Sequence, residues 1–238
     1  MIGDNLQAVI SRIAAATAEA GRAPGSVRLL AASKTQPPAR IAEAAAAGQR
    51  AFGENYVQEA IGKMDALAQM LGEARSRALE WHLIGPVQSN KTRVAAERFD
   101  WVQCVDREKI ARRLSEQRPA ALAPLNVLIE VNLSGEASKS GVAAEDALAL
   151  ARTVAGLPRL RLRGLMAIPA PSRDQAVQRE RFRAVRRLFE RLRAHNPALD
   201  TLSMGMSDDM EAAIAEGATM VRIGSAIFGA RAKVKSAA

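Results

Sequence analysis

Strand-like and helix-like segments alternate from one end of this chain to the other, and no other feature restricts its fold as much. Val27–Ser33, Ala51–Gly53, Glu80–Ile84, Trp101–Val105, Asn126–Asn132, Leu160–Ala167, Thr201–Met204 and Met220–Ile223 are short runs with strand character. Between them lie segments with apolar residues at helical spacing. These are Pro38–Ala47 closed by Gly48, a long stretch through Ala60–Arg75, Asn90–Arg98, Arg107–Gln117, Glu145–Ala155, an arginine-rich segment ending near Ala194, Asp208–Glu216 closed by Gly217, and a last one opening over Gly224–Gly229. An extra helix, Asn5–Ala20, precedes the first strand, with Leu6, Val9, Ile10 and Ile13 on one face. Strands joined through helices run parallel, and eight such units in 238 residues predict an α/β fold, a single (β/α)8 TIM barrel with one added N-terminal helix. A doubly wound open sheet is the alternative. No low-complexity linker interrupts the pattern, so residues 1–238 read as one domain, with loops at Arg118–Pro124 and Ala170–Ser172.

Composition removes several function classes. No apolar stretch approaches the roughly 20 residues of a membrane span, and Met1–Gln7 has no signal-peptide character, so a cytoplasmic protein is expected. The single cysteine, Cys104, excludes an internal disulfide and a cysteine-built metal site; in Trp101–Val105 it reads as a small buried hydrophobe. The two histidines, His82 and His195, lie far apart without ligand spacing, which argues against a metal. Net charge is +9, much of it from arginines between Gln178 and Arg193. There Phe182, Val185, Leu188, Phe189 and Leu192 recur at helical spacing, so the arginines line the outer face of an amphipathic helix. With aromatic residues only 3% of the chain, no stacking platform for nucleic acid can be built.

In a barrel of this kind the chemistry belongs to the loops after each strand. Lys34 follows the first strand in Ala31-Ala32-Ser33-Lys34-Thr35, where an amine at the rim of the sheet can meet a carbonyl compound and form a Schiff base. Gly53-Glu54-Asn55-Tyr56 follows the second strand; His82 and Gly85–Lys91 belong to the third. Glu130 and Asn132 lie on the apolar fifth strand, where each needs a polar partner, and Ser134–Gly141 comes after it. Strand seven ends in Ser203-Met204-Gly205-Met206-Ser207-Asp208-Asp209 and strand eight in Arg222-Ile223-Gly224-Ser225. Hydroxyl and glycine residues at two neighbouring helix starts suit a phosphate, although Ser207, Asp208 and Ser225 also suit plain helix caps. Arg222 could meet an anion or a ring nitrogen, or close a salt bridge. An amine facing a phosphate site suggests a phosphorylated aldehyde, of which pyridoxal 5′-phosphate (PLP) is the natural candidate.

Ser33-Lys34-Thr35, Phe52–Tyr56, Trp81–Gly85, Gln88–Lys91, Leu202–Asp209 and Arg222–Gly229 together resemble the pyridoxal phosphate homeostasis proteins of the YggS/PROSC type, over about Val27 to Arg231. The resemblance implies a barrel of PLP fold type III, like the N-terminal domain of alanine racemase. It implies that Lys34 carries PLP as a Schiff base, that Ser203, Gly224 and Ser225, with Gly205, hold the phosphate, that Arg222 faces the pyridine nitrogen, and that Asn55 lies in the cofactor pocket. The sequence departs from the family pattern at Ser225, often threonine, and at Val87-Gln88-Ser89, where leucine and arginine are common. Serine keeps the hydroxyl, so phosphate binding stands.

An arginine keeps its proton at ordinary pH and so donates to an unprotonated ring nitrogen, which makes the ring a poorer electron sink. Racemases of this fold draw a tyrosine base from a second domain, whereas this chain ends soon after its eighth strand and its one tyrosine is Tyr56. The expectation is a PLP-binding protein of intracellular PLP homeostasis, without robust catalysis and with no catalytic residue assigned. It holds, buffers or passes the cofactor to PLP-dependent apo-enzymes. An amino-acid racemase using Lys34, a cofactor-free Schiff-base aldolase, and a nucleic-acid binder acting through the arginine-rich helix are the rival readings.

Overall fold

A computed structural model describes residues 1–133 and 140–229 of the chain. The predicted barrel is present and closed. Strands β1 (Arg28–Ala32), β2 (Ala51–Glu54), β3 (Glu80–Leu83), β4 (Trp101–Val105), β5 (Leu125–Asn132), β7 (Leu160–Ala167), β8 (Thr201–Ser203) and β9 (Met220–Ile223) all pair in parallel. The order β4-β3-β2-β1-β9-β8-β7-β5 closes through a β4–β5 pairing, which excludes the open sheet. A two-residue strand the sequence pattern did not signal, β6 (Val142–Ala143), pairs parallel to β5.

The helices follow the expected positions with shifted ends. α1 (Ile2–Glu19) starts earlier than Asn5 because Ile2 is itself buried and its N–H donates to the Glu43 carboxylate. α2 spans Pro38–Ala46, with proline tolerated in its first turn. The long helix expected through Ala60–Arg75 is two: α3 (Val57–Leu71) and α4 (Glu73–Arg77), divided at Gly72, whose φ of 80° breaks helical geometry. A 3-10 turn at Ser89–Lys91 leads into α5 (Thr92–Arg98); α6 covers Glu108–Gln117 and α7 Ala147–Ala155. α8 (Gln175–His195) begins at Asp174, whose carboxylate accepts the Ala176 and Val177 N–H groups. α9 (Met210–Ala215) and α10 (Ser225–Phe228) are short.

The core is layered. One large apolar shell lies between the strands and the helices, from Leu6 and Ile41 through Phe99 and Val127 to Phe182 and Ile227. A second, small cluster of Leu30, Ala51, Ile84 and Met220 occupies the barrel interior. The arginines of α8 are less freely solvated than amphipathicity alone suggested: Arg179 and Arg183 reach the Glu216 carboxylate at 2.9 and 3.0 Å. Burial pushes that carboxyl up, but hydrogen bonds from Arg183 and Arg179 outweigh it and leave it below its ordinary range. Cys104 is buried as expected, its thiol donating to the Gly85 carbonyl. Among the described residues no helix is long and apolar enough to cross a membrane, and no group of histidine, cysteine or carboxylate side chains has the makings of a metal site.

Candidate functional site

The chain reverses at once after β1. Gln36 N–H donates to the Ser33 carbonyl at 3.0 Å, so Lys34 and Thr35 occupy the middle of a tight turn. Thr35 adopts φ 65°, a left-handed conformation sparsely used by a β-branched residue, and its N–H donates to Glu59 at 2.6 Å. Beneath the turn Lys63 of α3 donates to the Ser33 carbonyl at 2.9 Å and pairs with both oxygens of Glu54 at 2.9 and 2.8 Å. Ser33 Oγ donates to the same carboxylate at 2.6 Å. Burial pushes the Glu54 carboxyl up, against the hydrogen bonds of Lys63 and Ser33 that favour its charged form. The backbone flanking Lys34 is thus held on both sides, by the buried Lys63 at Ser33 and by the partly exposed Glu59 at Thr35.

At the C-terminal ends of the strands Lys34, Asn55, Arg222, Gly224 and Ser225 line one cleft, with Ser207, Gln36 and Ile168 completing much of its wall. Its volume of about 260 Å³ admits a small ligand and not a polymer. Lys34 stands on the β1 side, and Gly224 and Ser225 on the β9 side. Ser225 Oγ donates to Ser207 Oγ at 3.1 Å, so two hydroxyls from successive loops meet. The N–H groups of Ser225 and Ala226, in the first turn of α10, have no partner within the helix. Asn55 Oδ1 is buried and has no hydrogen-bond partner among the described residues. A buried acceptor left open in a cleft wall fits a bound donor.

Arg222 is buried. Its NH1 donates to Ser203 Oγ at 2.8 Å and its NH2 to the Ala167 carbonyl at 2.9 Å. Burial lowers its pKa to about 10, opposed by the charges of Asp209 and Glu130, so the guanidinium stays cationic at neutral pH. Glu130 carries a carboxyl raised to about 7, by burial first and then by Asp106, while Arg222 pulls the other way.

Two of the expected site residues lie outside the cleft lining. Ser203 is fully buried, its hydroxyl accepting from Arg222 and donating to Gln103 at 2.7 Å. Gly205, at φ 95°, accepts the Arg222 N–H at 3.0 Å, and a Cβ there would press on Ala213. A strand-end position alone does not say whether a hydroxyl faces the mouth or the barrel axis, and Ser203 faces inward. Asn132 does have a polar partner; of the segment after β5, Ser134–Lys139 lies outside the described residues. His82 is buried and stacks on Trp101, with ring centroids 5.1 Å apart. Gln103 carried no role in the sequence reading. Its signal was a neutral amide in the middle of an otherwise apolar strand, where a partner across the barrel is needed.

The sequence matches the family described as "Alanine racemase, N-terminal domain" over residues 5–232. It is 60% identical to a pyridoxal phosphate homeostasis protein of Pseudomonas aeruginosa over 230 residues, covering 97% of this chain and 96% of the other. It is 57% identical to the Escherichia coli protein of the same name, covering 97% of each. The fold superimposes on PipY of Synechococcus elongatus, solved with PLP bound, with a TM-score of 0.82 and 37% identity, covering 96% of this chain and all of that one. Alanine racemase of Corynebacterium glutamicum shares the fold at 20% identity and a TM-score of 0.66, over 95% of this chain and 62% of the racemase. With whole-length identity of this order, the chain belongs to the pyridoxal phosphate homeostasis protein family, within the larger group that shares the alanine racemase N-terminal barrel.

Proposed function

We propose that this chain binds pyridoxal 5′-phosphate through Lys34 and serves intracellular PLP homeostasis by holding the cofactor and releasing it to PLP-dependent apo-enzymes. The observation that carries the reading is one cleft lined by a lysine, an arginine and a hydroxyl pair. Lys34 would meet the aldehyde; Ser225 and Ser207, with Gly224 and the first-turn N–H groups of α10, would meet the phosphate; Arg222 would donate to the ring nitrogen, and Asn55 would complete the wall. Ser203 and Gly205 contribute by holding Arg222, through the hydroxyl of one and the carbonyl of the other. PLP supplies an electrophilic aldehyde that an amine captures reversibly, and reversible capture is what storage and delivery require. An arginine against the ring nitrogen favours carriage over racemisation, and the likeness to racemases is one of fold. The location proposed is the cytoplasm, where a lone reduced thiol such as Cys104 is the ordinary state.

The test is an absorbance spectrum of the purified protein before and after borohydride, followed by peptide mapping. A yellow protein whose pyridoxyl group maps to Lys34 is expected, with the label lost in Lys34→Ala. A protein that stays colourless and unlabelled after PLP is added overturns the assignment. Product from alanine or serine, lost in Lys34→Ala, would instead favour a racemase.

A further inference from the structure

A continuous polar chain crosses the interior of the barrel. From Arg222 on β9 it runs to Ser203 Oγ on β8 at 2.8 Å, then to Gln103 Oε1 on β4 at 2.7 Å. Gln103 Nε2 lies 2.8 Å from His82 Nδ1 on β3, and His82 Nε2 lies 2.6 Å from Glu80 Oε1 at the far end. Arg28 NH2 of β1 donates to the same carboxylate oxygen at 2.8 Å. β4 and β8 are not neighbours in the sheet, so the Ser203–Gln103 bond spans the lumen. Ser203, Gln103 and His82 have no exposed surface, and Arg222 is 4% exposed. A buried hydrogen-bonded network of this kind specifies one arrangement, and a broken one is costly.

The direction of the chain follows from its ends. An arginine only donates, so Ser203 receives from Arg222, and its own proton goes to the Gln103 carbonyl oxygen. The Gln103 amide then presents N–H to His82 Nδ1, which therefore holds a lone pair. The His82 proton is left on Nε2 and is given to Glu80. At the far end the ionised Glu80 oxygen, which also receives Arg28, can only accept, so the His82 Nε2 proton points to it. The charged groups around the imidazole are Glu80 on its own strand, Arg28 from β1, and Arg163 of β7 lying over the Trp101 ring against which His82 stacks. Arg163 is itself paired with Asp200. Burial lowers the His82 pKa, although Glu80 pulls it upward.

We infer that Ser203, Gln103 and neutral His82, protonated on Nε2, form a one-directional hydrogen-bond chain that fixes the pose of Arg222 beneath the cleft. Gln103 and His82 are then positioning residues for the guanidinium, which touches the cofactor only on the reading given above. With NH1 bound to Ser203 and NH2 to Ala167, the guanidinium cannot swing, so its remaining donors are set toward the cleft. The family resemblance implied that Ser203 holds the phosphate, and His82 had no role in it; the chain gives both one task.

The experiment is nitrogen-detected NMR of the two histidines in the full chain without PLP, with His195→Gln to assign the signals. His82 is expected as the neutral Nε2–H form, unchanged between about pH 5 and 8, the range in which an unperturbed imidazole titrates. A neutral Nδ1–H form, or a charged ring, overturns the inference. In Gln103→Glu a carboxylate replaces the amide donor, so both ring nitrogens face acceptors, and His82 is expected to become doubly protonated over that range. Retention of the neutral ring in that variant would equally overturn it. Ser203→Ala cuts the link to Arg222 and tests the positioning role separately, whether or not Gln103→Glu folds. PLP affinity is expected to fall about tenfold on losing one hydrogen bond to a charged group, with a shifted pH midpoint of the visible band of the bound cofactor. Unchanged affinity and midpoint, in a protein whose Lys34 still takes the borohydride label, would remove the positioning role and leave cofactor binding standing. An unlabelled Lys34 beside the expected His82 signal would do the reverse.

Discussion

Glu130 shows what one residue contributes when a barrel strand buries it. Its carboxyl has a pKa of about 7 in the folded chain against an ordinary value of 4.5, because burial, then Asp106, penalise the charged form while Arg222 relieves it only in part. The folded state therefore holds this proton more tightly than the unfolded chain does. The stabilisation is complete below about pH 4.5 and is lost as pH rises through about 7. Glu130→Gln removes the ionisation, so this decline should flatten and the variant should exceed the parent above neutral pH by an amount on the order of 1–3 kcal/mol. Urea unfolding at about pH 5 and about pH 8 measures it; a parent and variant that fall in parallel would contradict the assignment. Glu130 was visible in the sequence as a carboxylate on an apolar strand. Its neighbours, from β4's end and from β9, were not, because they come together only through the closure of the sheet.

At the scale of elements, β1 and α3 act as one unit through Lys63. This lysine pairs with Glu54 and braces the Ser33 carbonyl, so the turn that carries Lys34 rests on a buried charge pair between β2 and α3. Lys63→Met keeps the stem and deletes the ammonium, leaving the Glu54 carboxylate buried without its cation. A loss of about 3–5 kcal/mol is expected, and adding Glu54→Gln should restore part of it. Denaturant midpoints of the two variants decide the matter, and a cost below about 1 kcal/mol for Lys63→Met would mean that the pair is solvated rather than buried. Periodicity put Lys63 on a helix but gave no reason to place it inward, since lysines on helices are mostly exposed. β7 shows the same limit. Gly164, at φ 150°, lies so close to the Thr201 carbonyl that a Cβ could not fit, and the register of β5 against β7 shifts opposite it. Nothing in the local sequence announces that approach.

Over the whole molecule, the first and last strands meet. β1 pairs with β9 to close the barrel, and α1 covers the seam, with Asn5 donating to the Ile227 carbonyl at 3.0 Å and Arg12 bound to Glu211 at 2.7 Å. A ligand held by Lys34 after β1 and by Ser225 after β9 would bridge this seam and bind only the closed state. PLP should therefore raise the thermal midpoint with the logarithm of its concentration, by an equivalent of about 2.7 kcal/mol at 100 times the dissociation constant. Lys34→Ala should melt like the unliganded parent and lose most of the ligand effect. Equal stabilisation of the two proteins by PLP would mean that the cofactor binds elsewhere.

The alternation of apolar and amphipathic segments by itself narrowed the fold to parallel strands with helices on the outside, a barrel or an open sheet, because such strands have few ways to bury both faces; the β4–β5 pairing decided for the closed barrel. The residues at the strand ends determined the chemistry on offer: an amine at Lys34, a guanidinium at Arg222, and hydroxyls at Ser207 and Ser225. Direction was left to the tertiary structure. Ser203 and Ser225 follow neighbouring strands and look alike in sequence, yet one is locked inside the barrel by Arg222 and Gln103 while the other lines the cleft. Gln103, His82 and Ser203 stand at separations of up to 121 residues and become neighbours only when β4 and β8 face each other across the closed sheet. A one-dimensional pattern fixes which face of a strand is apolar; it carries no information on which polar group will lie opposite across a lumen.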